Sequence, residues 1–471
     1  MKKVVAGLIS LLEPGIYDYM DNKTDPAEGA RLRGFLEHDN AAVCDVVGKY
    51  FDVVNPGPVA SQETADKAIQ AFKEADVQLL FVVSLFWSSD KPLLKILRTF
   101  SNMPIIYWCY TPTRRLPDHM VMSDLYRRSG AVGAMQNCAP LTKMGREYSM
   151  VFGTPDDPQL IKDVADYAKA YEVLFAMNGM KIGQIGGRYE EMTGTYVDEF
   201  RLLNRFGIDL VHITPGMVEN AAEELTDAEI QAYVDELKSK YPVVGVTDEG
   251  LYCAARVSMA TAKAAIDRGV SVMAVEDFNT VVMDHFKTRP QLWVPGLRER
   301  GMVASMEGDV IAALSVWISR HLGETTPMYT EMFTFDLERN ALLMGHAGIL
   351  DPELAKPDSV KIIRDAEMDG ICESEGAWLH FRGKLGPVVV TSLFGMEGDY
   401  TSIMFTGESI ENEILDIHAN MLVKIDTPMR SFFQQMMKRG TNQHMSVSYD
   451  DIASRWIKFC EIAHIDLKVI E

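Results

Sequence analysis

The chain has 471 residues, of which 47% are hydrophobic and 24% charged, and its formal net charge is −21 at pH 7. This length is too great for one ordinary hydrophobic core and predicts roughly two to four domains, while the composition is typical of a globular chain and not of a disordered one. The acidic charge, with no stripe of lysines and arginines, excludes nucleic acid as a partner.

Six cysteines are scattered along the chain without a CxxC pair. Most lie in apolar runs, which predicts buried free thiols in a reducing compartment and neither disulfides nor a zinc site. The N-terminal apolar run breaks at Glu13-Pro14 and lacks a small-residue cleavage signature, so it is better interpreted as a first β-strand than as a signal peptide. No apolar stretch is long enough to span a bilayer. We therefore expect a cytoplasmic protein with no membrane partner.

Residues 1–176 alternate short apolar runs with amphipathic stretches. The strand-like runs are VVAGLIS, AVCDVV, VQLLFVVSLF and MPIIYWCY, and the stretch ETADKAIQAFKEA has a strong helix pattern. Continuous apolar strands separated by helices predict a parallel sheet with helices outside, hence an N-terminal α/β domain. A long helix over Asp156–Met177 leads out of this domain.

Residues 177–325 repeat the same rhythm and predict a central α/β domain with a second open parallel sheet. Its predicted strands are KIGQIGG, DLVHITP, VVGVT and VSVMAVEDF, and its predicted helices are Tyr196–Phe206, Asp227–Lys240 and Ala254–Arg268. The glycines of GQIGGR do not match G-x-G-x-x-G, so they indicate a tight turn and not a dinucleotide site. The acid pairs Asp248-Glu249 and Glu276-Asp277 each follow a strand, where they could line a cleft, although helix N-capping or a solvated loop is the simpler interpretation.

Residues 326–471 consist mainly of strand-like runs joined by Gly, Asp and Pro turns, from YTEMFTFDLE to MLVKIDT. This pattern predicts an antiparallel β-rich C-terminal domain, a sandwich or a barrel, closed by a helix over Tyr449–Ala463. The predicted fold class is therefore α/β, with two open parallel-sheet domains followed by an antiparallel β-rich domain.

Four acids and histidines stand at the ends of ordered elements. They are Glu307 in a Met-Glu-Gly-Asp turn, Glu331 at the start of an alternating run, His346 after a short apolar run, and His444 in GTNQH. Two carboxylates and an imidazole that face one cavity suit a hard divalent cation with positions left open for substrate, and His444 is a fourth candidate. A solvated loop carboxylate and a core histidine are the simpler interpretation of each residue alone.

Several segments, in this order along the chain, resemble the L-arabinose isomerase family and, more distantly, the L-fucose isomerases. They are VPGL at Val294–Leu297, the MEGD turn with its helix, TEMFTFDLE followed by LLMGHAGIL, and GTNQH. Segments of the first two domains, such as KIGQIGGRYEEMTGTYVDEFRLLNRFG, also run in parallel with the family. The similarity covers nearly the whole chain but is specific only at the four candidate ligands.

The resemblance implies an enzyme of carbohydrate metabolism that interconverts an aldose and a ketose, small-molecule sugars, through a cis-enediol. It implies a bound divalent cation, commonly Mn²⁺ but also Co²⁺ or Mg²⁺, held by Glu307, Glu331, His346 and His444. Glu307 and Glu331 would also be the catalytic base and acid, in an order that the sequence does not assign. The resemblance further implies a homo-oligomer, a hexamer or tetramer, with active sites shared between subunits.

The chain departs from the family pattern where the sugar is bound. Gln443 stands where the family often has a second histidine, and Phe333 replaces a tyrosine. The segment LYRRSGAVGAMQN lacks the family's sugar-binding histidine, for which Gln136, Arg127 or Arg128 could substitute. The candidates for sugar contacts are therefore Phe333, Gln136 and Tyr17.

Two other functions remain open. The chain could be an isomerase or epimerase of a modified or acidic sugar, with Arg114-Arg115 contacting a carboxylate or sulfonate, although a surface arginine pair is the simpler interpretation. Alternatively, the two α/β units could form a non-catalytic sugar-binding protein, which would have no need for two carboxylates at a metal. A dehydrogenase is disfavoured because no dinucleotide fingerprint is present.

Overall fold

The computed structural model describes residues 2–396 and 398–471. The chain forms two compact units, the first ending at Glu172 and the second covering Val173–Glu471. The predicted division of the later residues at position 325 stays a prediction. Within the described residues, no helix is long and apolar enough to cross a membrane.

The first unit is built on a five-stranded parallel sheet with strand order β2-β1-β3-β4-β5. Strands β3 and β4 are apolar and almost wholly buried, as expected for strands covered on both faces. Its elements are β1 (Val5–Leu11), α1 (Pro14–Met20), α2 (Pro26–Gly48), β2 (Asp52–Val54), α3 (Gln62–Glu74), β3 (Leu79–Ser84), α4 (Asp90–Thr99), β4 (Ile105–Tyr110), α5 (Met122–Arg127), α6 (Gly130–Lys143) and β5 (Ser149–Gly153).

The prediction of AVCDVV as a strand was wrong, because this run is the last part of helix α2. Val43, Val46 and Val47 are buried on one side of that helix. Their spacing of three and four residues matches the helical repeat, and a short apolar run does not distinguish this from a strand. The strand that pairs with β1 on the side away from β3 is β2, which begins a few residues after this helix.

The second unit begins with another parallel sheet, of order β10-β9-β6-β7. Helix α13 is buried on nearly every side because it packs against β9 and β10 of this sheet and against β15 and β18 of the sheet that follows. The elements are α7 (Pro158–Met177, continuing from the first unit), β6 (Lys181–Ile185), α8 (Glu199–Phe206), β7 (Asp209–Ile213), α9 (Pro215–Glu223), α10 (Asp227–Lys240), β8 (Val243–Val244), α11 (Asp248–Ile266), β9 (Val272–Val275), α12 (Thr280–Phe286), β10 (Val303–Ser305) and α13 (Val310–Leu322).

The last part of the second unit is a barrel. Strands pair in the order β15-β18-β11-β12-β17-β16, and β16 pairs back with β15, which closes the ring with antiparallel ladders. The elements are β11 (Met328–Asp336), β12 (Ala341–His346), β13 (Lys361–Arg364), β14 (Ala377–His380), β15 (Gly386–Met396), β16 (Asp399–Ile410), β17 (Ala419–Lys424), α14 (Met429–Arg439), β18 (Met445–Ser448), α15 (Ala453–Ile462) and β19 (Asp466–Val469). The fold class predicted from the sequence is confirmed.

Two strand assignments were incomplete. Strand β8, predicted in the second parallel sheet, pairs instead with β13 in a small sheet of order β14-β13-β8. The chain also does not close on helix α15, because β19 follows it and pairs in parallel with β16. Both pairings join segments distant in sequence, which a local pattern does not report.

Candidate metal centre

Glu307 lies in a strained turn at the carboxyl end of β10. Glu307 and the following Gly308 both adopt positive φ, at 61° and 68°. For a glutamate this backbone conformation costs about 1–3 kcal/mol and persists only where surrounding contacts impose it. A Cβ on Gly308 would collide with the carbonyl oxygen of Gly187 in the loop after β6, so only glycine permits this approach.

The neighbouring strand ends hold the turn in place. Asp277, which follows β9, accepts a hydrogen bond from the backbone N–H of Glu307 over 3.1 Å. The N–H of Gly308 donates to the carbonyl of Val275, and the N–H of Tyr189 donates to the carbonyl of Glu307. Three parallel strands thus position Glu307 at the carboxyl edge of their sheet, where open α/β sheets bind ligands.

The barrel brings the other predicted ligands to one of its ends. Glu331 lies in β11 opposite Gly345, and His346 is the last residue of β12. His444 directly precedes β18, whose first residue pairs with Thr330 of β11. Because β18, β11 and β12 are adjacent in the barrel, these three side chains share one edge.

Three of the four predicted ligands converge. One donor atom from each of Glu307, His346 and His444 lies within 4.8 Å of the other two, and no other such group of three occurs among the described residues. All three side chains are buried, and Glu307 Oε2 lies 2.9 Å from His444 Nε2. Glu331 is only half-buried and is not a member of this cluster, although it lies close enough for Glu307 to influence its pKa.

Both imidazoles are held through Nδ1. His346 Nδ1 donates to the carbonyl of Ala347 over 2.7 Å, and His444 Nδ1 donates to Asp309 Oδ2 over 2.8 Å. Asn442 donates to the same carboxylate oxygen. With Nδ1 as the donor, Nε2 is the nitrogen of each ring that can offer a metal its lone pair once it carries no proton.

Two of the atoms that could bind a metal have no hydrogen-bond partner among the described residues. Glu307 Oε2 and His346 Nε2 are buried, and neither makes a hydrogen bond to any described residue. The short distance between Glu307 and His444 is an ion-pair contact that does not meet hydrogen-bond geometry. Buried polar atoms are normally paired, at a cost of about 1–3 kcal/mol when they are not. One carboxylate oxygen and two imidazole nitrogens therefore fit a divalent cation.

Burial and charge separate the pKa values of these groups. Burial, assisted by His444, lowers the pKa of His346 to about 4. Burial also disfavours the charged form of His444, but Asp309 and Glu307 outweigh it and raise its pKa to about 9. For Glu307, burial is outweighed by His444 and His346, which lower its pKa, whereas burial and the charge of Glu307 raise the pKa of Glu331. Glu331 therefore takes up a proton more readily than Glu307.

The candidate sugar contacts lie in different parts of the chain. Phe333 is half-buried in β11, two residues after Glu331, and its ring centroid is 5.4 Å from that of His418. Gln136 and Tyr17 lie in the first unit, where Gln136 accepts a hydrogen bond from Trp87 and burial raises the pKa of Tyr17. Contact of these residues with a sugar stays a prediction.

The arginine pair Arg114-Arg115 is exposed. Arg115 lies 3.0 Å from Asp118 and Arg114 lies 3.7 Å from Asp157. These ion pairs agree with the simpler interpretation of a surface arginine pair. Gln443 is beside the site, with its Nε2 3.4 Å from His444 Nε2.

Sequence reasoning missed the acids that support the ligands. Glu276 and Asp277 are 0% and 2% exposed, so this pair is not in a solvated loop, and Glu276 accepts hydrogen bonds from the N–H groups of Phe278 and Asn279. Asp248-Glu249 form the exposed first turn of α11. Asp309 was not singled out, although Asp at the start of a helix is a common N-cap. The available signal was that β9 and β10 are adjacent parallel strands, whose carboxyl ends must meet.

The fold and the site define an α/β protein with a candidate divalent-metal centre where a parallel sheet meets a β-barrel. Residues 326–466 match the model of the L-arabinose isomerase C-terminal domain. The chain is 21% identical to a sulfoquinovose isomerase of Priestia aryabhattai over 87% of this chain and 90% of the relative. It is 23% identical to an L-arabinose isomerase of Klebsiella pneumoniae (strain 342), over 79% of this chain and 77% of the relative.

Among solved structures, the chain matches the periplasmic binding protein component of an arabinose ABC transporter from Shewanella sp. ANA-3. The identity is 9%, the match covers 59% of this chain and 76% of that chain, and the TM-score is 0.15, which is too low to support an argument. The sequence comparisons, in contrast, extend through both units. The chain is thus similar along most of its length to sulfoquinovose and L-arabinose isomerases, and residues 326–466 fit the L-arabinose isomerase C-terminal domain. Its enzyme class is that of the isomerases that are intramolecular oxidoreductases.

Proposed function

We propose that this protein is a divalent-metal-dependent aldose–ketose isomerase. The observation that supports this most strongly is the convergence of Glu307, His346 and His444, with two buried donor atoms that have no hydrogen-bond partner among the described residues. A non-catalytic sugar-binding protein, the alternative from another class, gives no reason for this arrangement or for a second carboxylate beside it.

Glu307, His346 and His444 would hold the cation, with Glu331 as a further ligand from the edge of the cluster. Mn²⁺ is the leading candidate, and Co²⁺ and Mg²⁺ are alternatives, because a mixed oxygen and nitrogen donor set accepts several divalent ions. When bound, the ion supplies Lewis-acid stabilisation of the negative charge that develops on the substrate oxygens. The chain's own part is to fix the donors, through Asp309 at His444 and Asp277 at Glu307.

Glu307 and Glu331 are the proposed proton carriers. One carboxylate removes the proton from C2 of the aldose as the C1 carbonyl oxygen is protonated, which gives the cis-enediol. Loss of the O2 proton and protonation of C1 then give the ketose, so that no atoms are gained or lost overall. The lowered pKa of Glu307 and the raised pKa of Glu331 support a division of these tasks, and each such group is typically worth about 10²–10⁴ in rate.

The substrate class is proposed to be a neutral pentose or deoxyhexose. Arg289 is enclosed by acids, and Arg188 donates to the backbone carbonyls of Tyr189 and Met192. Arg289 is therefore already paired, and one guanidinium nitrogen of Arg188 is occupied, which favours an uncharged sugar. The sulfoquinovose isomerase relatives favour the alternative, a modified or acidic sugar.

We further propose a cytoplasmic homo-oligomer, a hexamer or tetramer. Helices α5 and α6 expose large apolar side chains that a monomer would leave in water, namely Met122, Leu125, Val132 and Met135. Six free cysteines are in keeping with a reducing compartment. Light scattering of the purified protein gives the subunit number directly.

The test of function is a sugar panel with metal-stripped protein, with and without added Mn²⁺. The panel holds L-arabinose, other aldopentoses, deoxyhexoses and sulfoquinovose, and ketose formation is followed by NMR in D₂O. Mn²⁺-dependent conversion with deuterium appearing at C1 is the expected result, because the carboxyl group that takes the proton from C2 can exchange it with solvent before C1 is protonated. Conversion without deuterium would favour direct transfer of hydrogen from C2 to C1 over the enediol, and a protein that binds no Mn²⁺ and converts no sugar contradicts the proposed function.

A further inference from the structure

We propose that Arg289 is a positioning residue that braces both sides of the metal centre, one through Asp277 and the other through Glu367 and His418. This inference rests on the proposed function, since it concerns the same site. Arg289 precedes the VPGL segment and does not belong to the cluster of donor atoms. Its role follows from what its guanidinium contacts.

Arg289 is buried among three acids. It is 1% exposed, and it donates to both carboxylate oxygens of Asp365, over 2.6 and 2.7 Å. It also donates to Glu367 over 2.9 Å and lies 3.6 Å from Asp277. A buried arginine is costly unless its hydrogen bonds are satisfied, and here the planar fork of donors reaches three carboxylates at once.

The first series of contacts leads from Arg289 through Asp277 to Glu307. Asp277 presents Oδ2 to Arg289, and its Oδ1 accepts the hydrogen bond from the backbone N–H of Glu307. Gln291 donates to Asp277 as well. Because Glu307 has a strained positive φ, the carboxylate that holds its N–H helps to impose the conformation that aims its side chain.

The second series of contacts leads from Arg289 through Glu367 and His418 to the strands of the barrel beside Glu331. Glu367 accepts from Arg289 through one oxygen, and its other oxygen lies 2.9 Å from His418 Nε2. His418 immediately precedes β17, the strand next to β12, and its ring packs against Phe333 and Trp378, with centroids 5.4 and 4.8 Å apart. Phe333 is on β11, the strand that carries Glu331. The contacts from Arg289 through Glu367 and His418 to Phe333 therefore position the surface next to Glu331.

The arrangement requires an arginine and not only a positive charge. A lysine at position 289 would keep the charge, but its single ammonium cannot make the paired hydrogen bonds to Asp365 and also reach Glu367 and Asp277. The contact with Asp277 and the contact with Glu367 would then each weaken. Residues that orient metal ligands from outside the ligand shell typically contribute about 10–100-fold to metal affinity or activity.

The test uses Arg289→Lys in the full chain, with Mn²⁺ affinity measured from the electron paramagnetic resonance signal of free Mn²⁺. We expect Mn²⁺ to bind about 10–100-fold more weakly, and kcat at saturating Mn²⁺ to fall while KM changes little. The matched control is Arg298→Lys, because Arg298 forms a similar fork with Asp351 and an ion pair with Glu353. The control should lose stability without any change in Mn²⁺ affinity or kcat.

Wild-type Mn²⁺ affinity in Arg289→Lys, or an equal loss of affinity in Arg298→Lys, would overturn the inference. If Arg289→Lys does not fold, Glu367→Gln replaces it, since this change keeps the size of the side chain and leaves Arg289 paired with Asp365. Glu367→Gln should weaken Mn²⁺ binding too, and unchanged binding contradicts the role of the contacts through Glu367 and His418. A wild-type protein that binds Mn²⁺ but converts no sugar refutes the proposed function alone, and one that binds no Mn²⁺ refutes both.

Discussion

His444 Nδ1 lies 2.8 Å from Asp309 Oδ2, and the other oxygen of Asp309 accepts a hydrogen bond from the N–H of Ala312 over 2.9 Å. One carboxylate therefore orients an imidazole that precedes strand β18 and also caps helix α13. Since α13 follows the turn that carries Glu307, this contact sets the distance between two of the three converging donors.

Asp309→Asn tests that contact separately from the helix cap. Asparagine caps a helix about as well as aspartate, so we expect nearly unchanged stability, but the loss of charge at His444 should weaken Mn²⁺ binding by about 10–100-fold. Calorimetric titration with Mn²⁺ measures the change. The matched control is Asp198→Asn at the N-cap of α8, and a control that loses as much Mn²⁺ affinity would contradict the assignment.

Glu307→Gln should lower turnover by about 10²–10⁴-fold or more while the protein stays folded. Glutamine keeps the size of the side chain but removes the negative charge from Oε2, the buried atom without a hydrogen-bond partner. Initial rates at saturating sugar and Mn²⁺ measure the effect, and Glu338→Gln on an exposed turn is the control. Retained activity would remove Glu307 from the mechanism.

His444→Ala should reduce metal content and heat stability together. A ligand that binds only the folded state adds to its stability, so the difference in Tm between Mn²⁺-loaded and metal-free protein should shrink in this variant. Metal analysis and thermal unfolding are the measurements, with the exposed His212→Ala as control. Unchanged metal content would mean that His444 is a core histidine and no more.

Glu331→Gln separates proton transfer from metal binding. Because Glu331 stands outside the cluster of three donors, we expect kcat to fall by about 10²–10⁴-fold while Mn²⁺ affinity falls less than in Glu307→Gln. Titration of both variants with Mn²⁺ gives the comparison. An equal loss of affinity would make Glu331 a full ligand, as the family resemblance implies.

Stability should depend on pH through Glu367. Burial disfavours the ionised form of this carboxyl, but hydrogen bonds from His418 and Arg289 outweigh it and lower its pKa from 4.5 to about 2. A carboxyl with a lowered folded-state pKa stabilises the protein above its unfolded-state pKa, and this contribution is lost as pH falls through the folded-state pKa. The free energy of unfolding in urea should therefore differ between wild type and Glu367→Gln by a constant amount from pH 7 to 5, and by less at each lower pH. A pH-independent difference would show that Glu367 acts by packing alone.

The sequence was sufficient for the elements whose local pattern is strong. Apolar runs such as LLFVVS predicted the buried parallel strands, and helix α10 has the predicted bounds Asp227–Lys240. Element ends and the family resemblance together also gave Glu307, His346 and His444 as candidate ligands, and the structure brings these three side chains together. It failed at AVCDVV, where a short apolar run fits a strand and a helix equally well.

What the sequence determined by itself was the chemistry available at each element end, since side-chain type and local periodicity are properties of short segments. Only the tertiary structure decided which ends meet, because strand register and barrel closure bring together residues such as Asp309 and His444, which are 135 positions apart. The same holds for Arg289, whose acids come from the end of β9 and from the segment after β13. Burial makes such pairing obligatory, since an unpaired charge in the interior is far more costly than one in water.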